Sequence, residues 1–372
     1  MKITYPDYNN CLVNVSNSIL KYYGVKNTHN TLAELDKYLE KEYKNVIILL
    51  YDGFGSNLIK RNLGEASFLN KNKVKDITSV FPATTTAATT SVTTGMTPTE
   101  HCWLGWNNYV KSIDKVVTMY LNVLKDTDLA AADYNVSRTE FPYVSIFEKI
   151  NNVGNAKAYA VSPYEGITYN AETPDEMYDK IIELCKNDEK KFIYAYCIEP
   201  DFSMHINGIE DDKSINLMQI LNDKTQELSS KLEDTLLIVT ADHGHITVGG
   251  HIILSDYPQI KDMLIRETSI ESRATNFFVK KDKIEDFKEE FNKLFDSDFL
   301  LLSKQEVLDK DLFGTGTPNE KFYDCLGDYI ALAISDKVIA DTTASESLIL
   351  KSHHAGVTED EVLVPLIVID KK

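Results

Sequence analysis

The chain has 372 residues, with 57 Asp or Glu against 39 Lys or Arg and a formal net charge of −18. That balance excludes a nucleic-acid scaffold, which needs a basic surface. It leaves room for a small phosphorylated substrate, because bound divalent ions reverse the local field. At 43% hydrophobic and 26% charged residues the composition is that of a globular protein. No apolar run approaches the ~20 residues of a membrane span, and MKITYPDYNN lacks a charged-then-apolar signal pattern. Five scattered cysteines (Cys11, Cys102, Cys185, Cys197, Cys325) include no CxxC pair, which argues against a thiolate zinc site and a disulfide framework. A cytoplasmic protein with no membrane partner is expected, and its oligomeric state is left open.

In chain order, residues 11–24 place Leu12, Val15, Ile19 and Leu20 at helical spacing before Gly24. VIILLY from Val46 is apolar on both faces, as a central parallel strand is, and runs into Asp52-Gly53. Residues 84–94 hold seven threonines, a helix with a small packing face although Thr is a mediocre helix former. A helix over 144–152, a turn near Gly154 and a strand over 156–161 follow. KKFIYAYCIEPD and DTLLIVTADHG read as further buried strands, preceded by helices at 174–187 and 213–232. This alternation predicts an α/β fold with a doubly wound, mostly parallel sheet flanked by helices. The rhythm changes near Asp256, so residues 256–340 read as an inserted α+β subdomain. The catalytic core then comprises 1–255 and 341–372, re-entered through VLVPLIVID.

The chemistry-bearing residues cluster where strands end, which is where open α/β sheets present ligands. Asp52 alone is an ordinary turn residue before glycine. Asp201 and His205, spaced i, i+4, share a face if the segment is helical. Asp242-His243 directly after LLIVTA has little structural purpose. His353-His354 offers a late imidazole, while His245 and His251 read as supporting or surface histidines. Sorted by type, Asp201, His205 and a late His form one set; Asp52, Asp242 and His243, with a Thr hydroxyl, form another. Imidazole mixed with carboxylate suits two divalent ions, zinc above magnesium or calcium. Two such ions can serve an in-line displacement.

VIILLYDGFG, FPATTTAATTSVTTG, EPDFSMH, LLIVTADHGH and SHHAGVTEDE, in that order, resemble the motifs of the alkaline phosphatase superfamily. The likeness is closest to its nucleotide pyrophosphatase/type I phosphodiesterase branch and covers roughly 40–255 and 345–372. The resemblance implies an alkaline-phosphatase-like core and metal-dependent hydrolysis of phosphate esters through a phosphothreonine. It places the nucleophile at Thr85 and metal ligands at Asp52, Thr85, Asp201, His205, Asp242 and His243. It favours His354, before Ala355-Gly356, over His353. Relatives that cleave nucleotides often carry an aromatic residue after the nucleophile, where this chain has Thr86. The family's phosphoryl-binding Asn aligns with Trp106, beside Asn107, so both are candidate substrate contacts. A phosphodiesterase or pyrophosphatase is the first expectation. A phosphomonoesterase on the same scaffold, or a silent metal-binding relative, is the alternative.

Overall fold

The computed structural model describes residues 1–163 and 168–372. Its main sheet has seven strands, in the order Lys73–Thr78, Leu363–Lys371, Thr235–Ala241, Asn45–Tyr51, Lys191–Cys197, Lys157–Ser162 and Tyr169–Asn170. Asn45–Tyr51 sits at the centre, parallel to Lys191–Cys197 on one side and Thr235–Ala241 on the other. Every residue of these three strands is buried. The aliphatic runs of Asn45–Tyr51 and Thr235–Ala241 follow from that, each fully buried aliphatic side chain contributing ~1.5–3 kcal/mol.

Register does the positioning. Tyr51 pairs with both Cys197 and Ala241, so the three central strands end level. The residues that follow, Asp52, Asp242 and the segment entering Asp201, therefore leave the sheet at one edge. The strand Leu363–Lys371 is antiparallel to both its neighbours. A returning strand must start where the parallel ones finish, and this brings His353-His354 to the same edge.

Helices flank the sheet in two groups. Leu12–Tyr22 packs with Thr85–Thr94 and Ile146–Val153, while Ser56–Leu63 packs with Asp212–Ser230. In the threonine helix the hydroxyls bond back within it, so they are satisfied although the helix is buried: Thr89 donates to the Thr85 carbonyl at 2.7 Å and Thr94 to that of Thr90 at 2.7 Å. Ser16 donates to the Val92 carbonyl at 2.7 Å, locking the helix to Leu12–Tyr22.

A second seven-stranded sheet, antiparallel throughout, has the order Phe299–Ser303, Tyr329–Ala333, Ala274–Phe277, Ser269–Ile270, Asn107–Val110, Lys115–Thr118 and Val123–Leu124. Residues 256–340 supply its first four strands. The other three come from 107–124, a stretch that the sequence pattern assigns to 1–255. Strands of two to four residues carry no readable periodicity.

Arg273 and Glu361, both fully buried, join the second sheet to the chain after His354. Arg273 Nε donates to Glu361 Oε1 at 2.6 Å and a terminal nitrogen to Oε2 at 2.9 Å. Glu361 also accepts from the Gly356 amide at 2.7 Å and the Thr358 hydroxyl at 2.6 Å. Burial opposes ionisation of Glu361, but the Arg273 charge and these hydrogen bonds hold its carboxyl below the usual range. Glu361→Gln strands a buried guanidinium and should cost about 3–5 kcal/mol. Because the folded value is depressed, the stabilisation is complete above the unfolded carboxylate value near ~4.3 and is lost as pH falls through the folded one. Denaturant unfolding of wild type and variant should show a gap that is constant from neutral pH to about 5 and closes under stronger acid. A gap that widens on acidification would contradict this.

Candidate active site

At the carboxyl edge of the main sheet, Asp52, Asp242, His243, His245, His353 and His354 are buried, with Asp201 and His205 nearly so. Asp52 and Asp242 follow their strands directly. Asp201 and His205 lie one turn apart on the helix Asp201–Asn207, with His205 Nε2 3.4 Å from Asp201 Oδ1. Thr85 opens the helix Thr85–Thr94, its Oγ1 3.4 Å from Asp52 Oδ1 and 3.2 Å from His243 Nε2. His243 Nε2 is also 3.2 Å from Asp52 Oδ1 and 3.7 Å from Asp242 Oδ2. The rings of His243 and His354 stack at 3.8 Å.

Backbone carbonyls can only accept, and this fixes the tautomer of three imidazoles. His205 Nδ1 donates to Ser352 O at 2.7 Å, His243 Nδ1 to Gly244 O at 3.0 Å, and His354 Nδ1 to Ala83 O at 3.3 Å. Each therefore keeps an Nε2 lone pair for a cation, the arrangement typical of metal-ligating histidine. His353 differs: its Nε2 donates to Ser347 O at 3.1 Å and its Nδ1 meets Ser272 Oγ at 3.4 Å. His245 differs as well, its Nε2 bonding Asp201 and its Nδ1 3.1 Å from Ser352 Oγ. It holds Asp201 through that bond while its own ring nitrogen lies among the clustered ligand atoms. His251 is exposed, on the strand Gly250–Ile253.

Electrostatics point the same way. Burial, then repulsion from Asp201, pushes the Asp52 carboxyl well up; burial and repulsion from Asp52 do the same to Asp242. Burial also opposes ionisation of Asp201, but His205 and His245 hold it below the ordinary range. Burial lowers His245 to about 4 and, with neighbouring imidazoles, pushes His353 and His354 well down. Asp242 Oδ2 is buried without a hydrogen-bond partner among the described residues, while its Oδ1 accepts from Gly53 N at 3.0 Å. Crowded carboxylates, an unpartnered carboxylate oxygen and inward lone pairs form a cage for positive charge. The ligand atoms of Asp52, Asp242 and His243 lie within 4.8 Å of one another, as do those of Asp201, His243, His245 and His354. The donor set fits divalent metal ions.

Three supporting residues carried no signal in the sequence. Tyr196 bonds its hydroxyl to Asp52 Oδ2, and Ser79 Oγ donates to the Asp242 carbonyl at 2.5 Å. Glu271, from the second sheet, accepts from Thr84 Oγ1 at 2.6 Å and from the Trp106 amide at 2.7 Å. Burial raises Glu271 to about 7, against the pull of those donors. Hydrophobic run length foretells none of these contacts, which span up to 187 residues.

Gly53 shows how tightly the edge is built. Its φ of +70° is left-handed, and a Cβ there would stand 2.8 Å from His245 Cδ2 and 3.0 Å from Asp201 Cβ. Gly53→Ala should cost about 1–2 kcal/mol for backbone conformation alone and displace both side chains. Metal titration of the folded variant should show weakened binding; wild-type affinity would mean that the turn can shift without moving the ligands.

The cluster floors a cleft of about 570 Å³ between the two sheets. Trp106 and Asn107 line it with Thr84, Thr85 and Thr118. Asn107 Oδ1 accepts from Thr118 Oγ1 at 2.8 Å, so its amide nitrogen has no partner among the described residues.

The chain belongs to the type I phosphodiesterase/nucleotide pyrophosphatase family, whose model matches residues 46–354. It is a hydrolase of phosphate esters with groups of metal-binding Asp and His residues. In fold it is similar to murine ectonucleotide pyrophosphatase/phosphodiesterase 5 (18% identity, 86% of this chain and 87% of that one, TM-score 0.65). The human protein of that name gives 16% identity, 87% of each chain and a TM-score of 0.67. Phosphonoacetate hydrolase from Sinorhizobium meliloti 1021, in complex with phosphonoformate, gives 15%, 87% and 89%, and 0.64. No curated protein sequence matches the chain. Among the described residues no helix is long and apolar enough to cross a membrane.

Proposed function

We propose that the protein hydrolyses a small-molecule phosphodiester through a phosphothreonine on Thr85, using two divalent ions, zinc by preference. Asp201, His205 and His354 would hold one ion; Asp52, Asp242, His243 and Thr85 would hold the other. When bound, the ions would supply Lewis acidity that lowers the pKa of the attacking hydroxyl and neutralises charge developing on the phosphoryl group.

The observation that carries this reading is the Thr85 hydroxyl, fixed between Asp52 and His243 at the floor of the cleft. Fixing it beforehand removes orientational freedom from the barrier. Thr85 Oγ1 would bond to phosphorus as the bond to the leaving alcohol breaks, and water would then cleave the phosphothreonine. The Thr84 side chain bonds to Glu271 and does not cap the helix Thr85–Thr94. The first-turn N–H groups, with the helix dipole behind them, are then open to the equatorial phosphoryl oxygens. The Asn107 amide would donate to one of them, with Trp106 beside the ester group.

A cytoplasmic location is part of the proposal, supported by five free cysteines, of which Cys102 and Cys325 share a thiol hydrogen bond at 3.6 Å and not a disulfide. Partners are confined to a small phosphorylated substrate; a nucleic-acid scaffold role is disfavoured by the charge of −18. The test is a panel of phosphate mono- and diesters on zinc-loaded protein. Higher kcat/KM for diesters is expected. Monoester preference would make the protein a phosphomonoesterase, and failure on the whole panel would refute the reading.

A further inference from the structure

The cleft extends well beyond Thr85, and part of its lining is apolar. Ile198, Phe202 and Ile206 line one side, from the loop and helix after Lys191–Cys197; Leu121 and Val123 come from the second sheet. Phe202, Ile206 and Leu121 are 56%, 50% and 57% exposed, large apolar groups left in water within a concave site. The i, i+4 spacing that aligns Asp201 with His205 aligns Phe202 with Ile206 on the adjoining strip of the same helix. Ligands for the ion and an apolar shelf are thus built from one turn of chain.

The charges lining the cleft are as informative. Among the described residues Lys125 is its one Lys or Arg. Its ammonium is already paired with Asp341 and donates to Thr268 O at 3.0 Å and Thr268 Oγ1 at 2.9 Å. Asp126, Asp128 and Glu271 line the same space. A polyphosphate chain entering here would bring negative charges that meet no free cation beyond the metal cluster, and unpaired charge is costly to desolvate. Thr86, where nucleotide-cleaving relatives often carry an aromatic, is fully buried and does not line the cleft.

We infer that the substrate is a diester of a single phosphate whose retained ester group is uncharged and apolar, alkyl or aryl, lying on Phe202, Ile206 and Leu121; nucleoside polyphosphates are poor substrates. This rests on the phosphodiesterase reading above. The experiment uses zinc-loaded full-length protein with 4-nitrophenyl phosphodiesters carrying methyl, hexyl or phenyl as the second group, and with ATP. Calorimetric binding of methyl-, hexyl- and phenyl-substituted methylphosphinates, whose two P–C bonds leave no ester to hydrolyse, gives a second readout. From methyl to hexyl, kcat/KM and affinity should each rise roughly ten-fold or more, with ATP below the hexyl diester. The double variant Phe202→Ala/Ile206→Ala removes exposed side chains, leaves no core cavity, and should largely abolish the dependence on chain length. Phe202→Leu should keep most of it. The phenyl arm tells aryl from alkyl preference. Chain-length independence in both readouts, or preference for ATP, would overturn the inference. Chain-length-dependent phosphinate binding without hydrolysis of any ester would uphold the apolar subsite and refute the phosphodiesterase reading.

Discussion

Thr85→Ala is expected to lower diester turnover by roughly 10⁴-fold or more while the protein stays folded and keeps nearly all its metal. The variant removes the attacking oxygen but leaves Asp52, Asp201, His205, Asp242, His243 and His354 in place. Thr85→Ser should recover substantial activity, because the hydroxyl survives. The neighbouring threonines are sharp controls. Thr84 Oγ1 is spent on Glu271, and the Thr86 side chain is wholly buried with no hydrogen-bond partner for its hydroxyl among the described residues. Thr85 alone of the three sets its hydroxyl against Asp52 and His243. Wild-type turnover by Thr85→Ala, with collapse in Thr84→Ala or Thr86→Ala, would place the nucleophile one residue away.

Asp242→Ala should release one ion and abolish most activity. In the apo protein the substitution removes a carboxyl raised by burial and by Asp52, but it also takes the acceptor from the Gly53 and His243 amides, so folding should survive at a cost of about 1–3 kcal/mol. Metal binding should suffer most, because Asp242 belongs to a group whose ligand atoms could hold an ion. Asp201→Ala should do the same at the other group. His245→Ala removes the bond that holds Asp201 and should weaken affinity by about 10–100-fold, less than either ligand substitution. Elemental analysis of the dialysed variants, set against about two equivalents in the wild type, reads these effects directly. Equal losses in all three variants would make His245 a ligand in its own right.

What the sequence made legible is what repeats along the chain. The unbroken aliphatic runs at 46–51 and 235–241 mark central strands because burial on both faces leaves no polar position. A polar residue directly after such a run, Asp52 or Asp242, must sit at the sheet edge. The Thr-rich run reads as a helix, and its bonds back to the preceding turn satisfy hydroxyls that the surrounding core buries. Convergence of His354 with Asp201 depends on the last strand running antiparallel, which hydrophobicity does not encode. Glu271, Tyr196 and the short strands at 107–124 were invisible for a related reason. Each is defined by a partner distant in sequence, and single polar residues and two- to four-residue strands have no period of their own. Choosing His354 over His353 rested on the family resemblance; hydrogen-bonding geometry offers an independent reason, since both nitrogens of His353 already face partners.

On the proposed mechanism Thr85 becomes covalently bonded to phosphorus during turnover. The most direct measurement is the stereochemical course of hydrolysis of a diester made chiral at phosphorus with sulfur and oxygen isotopes. Two successive in-line displacements, first by Thr85 and then by water, predict net retention of configuration. Net inversion would mean that water attacks the substrate directly, leaving Thr85 no more than a ligand at the site.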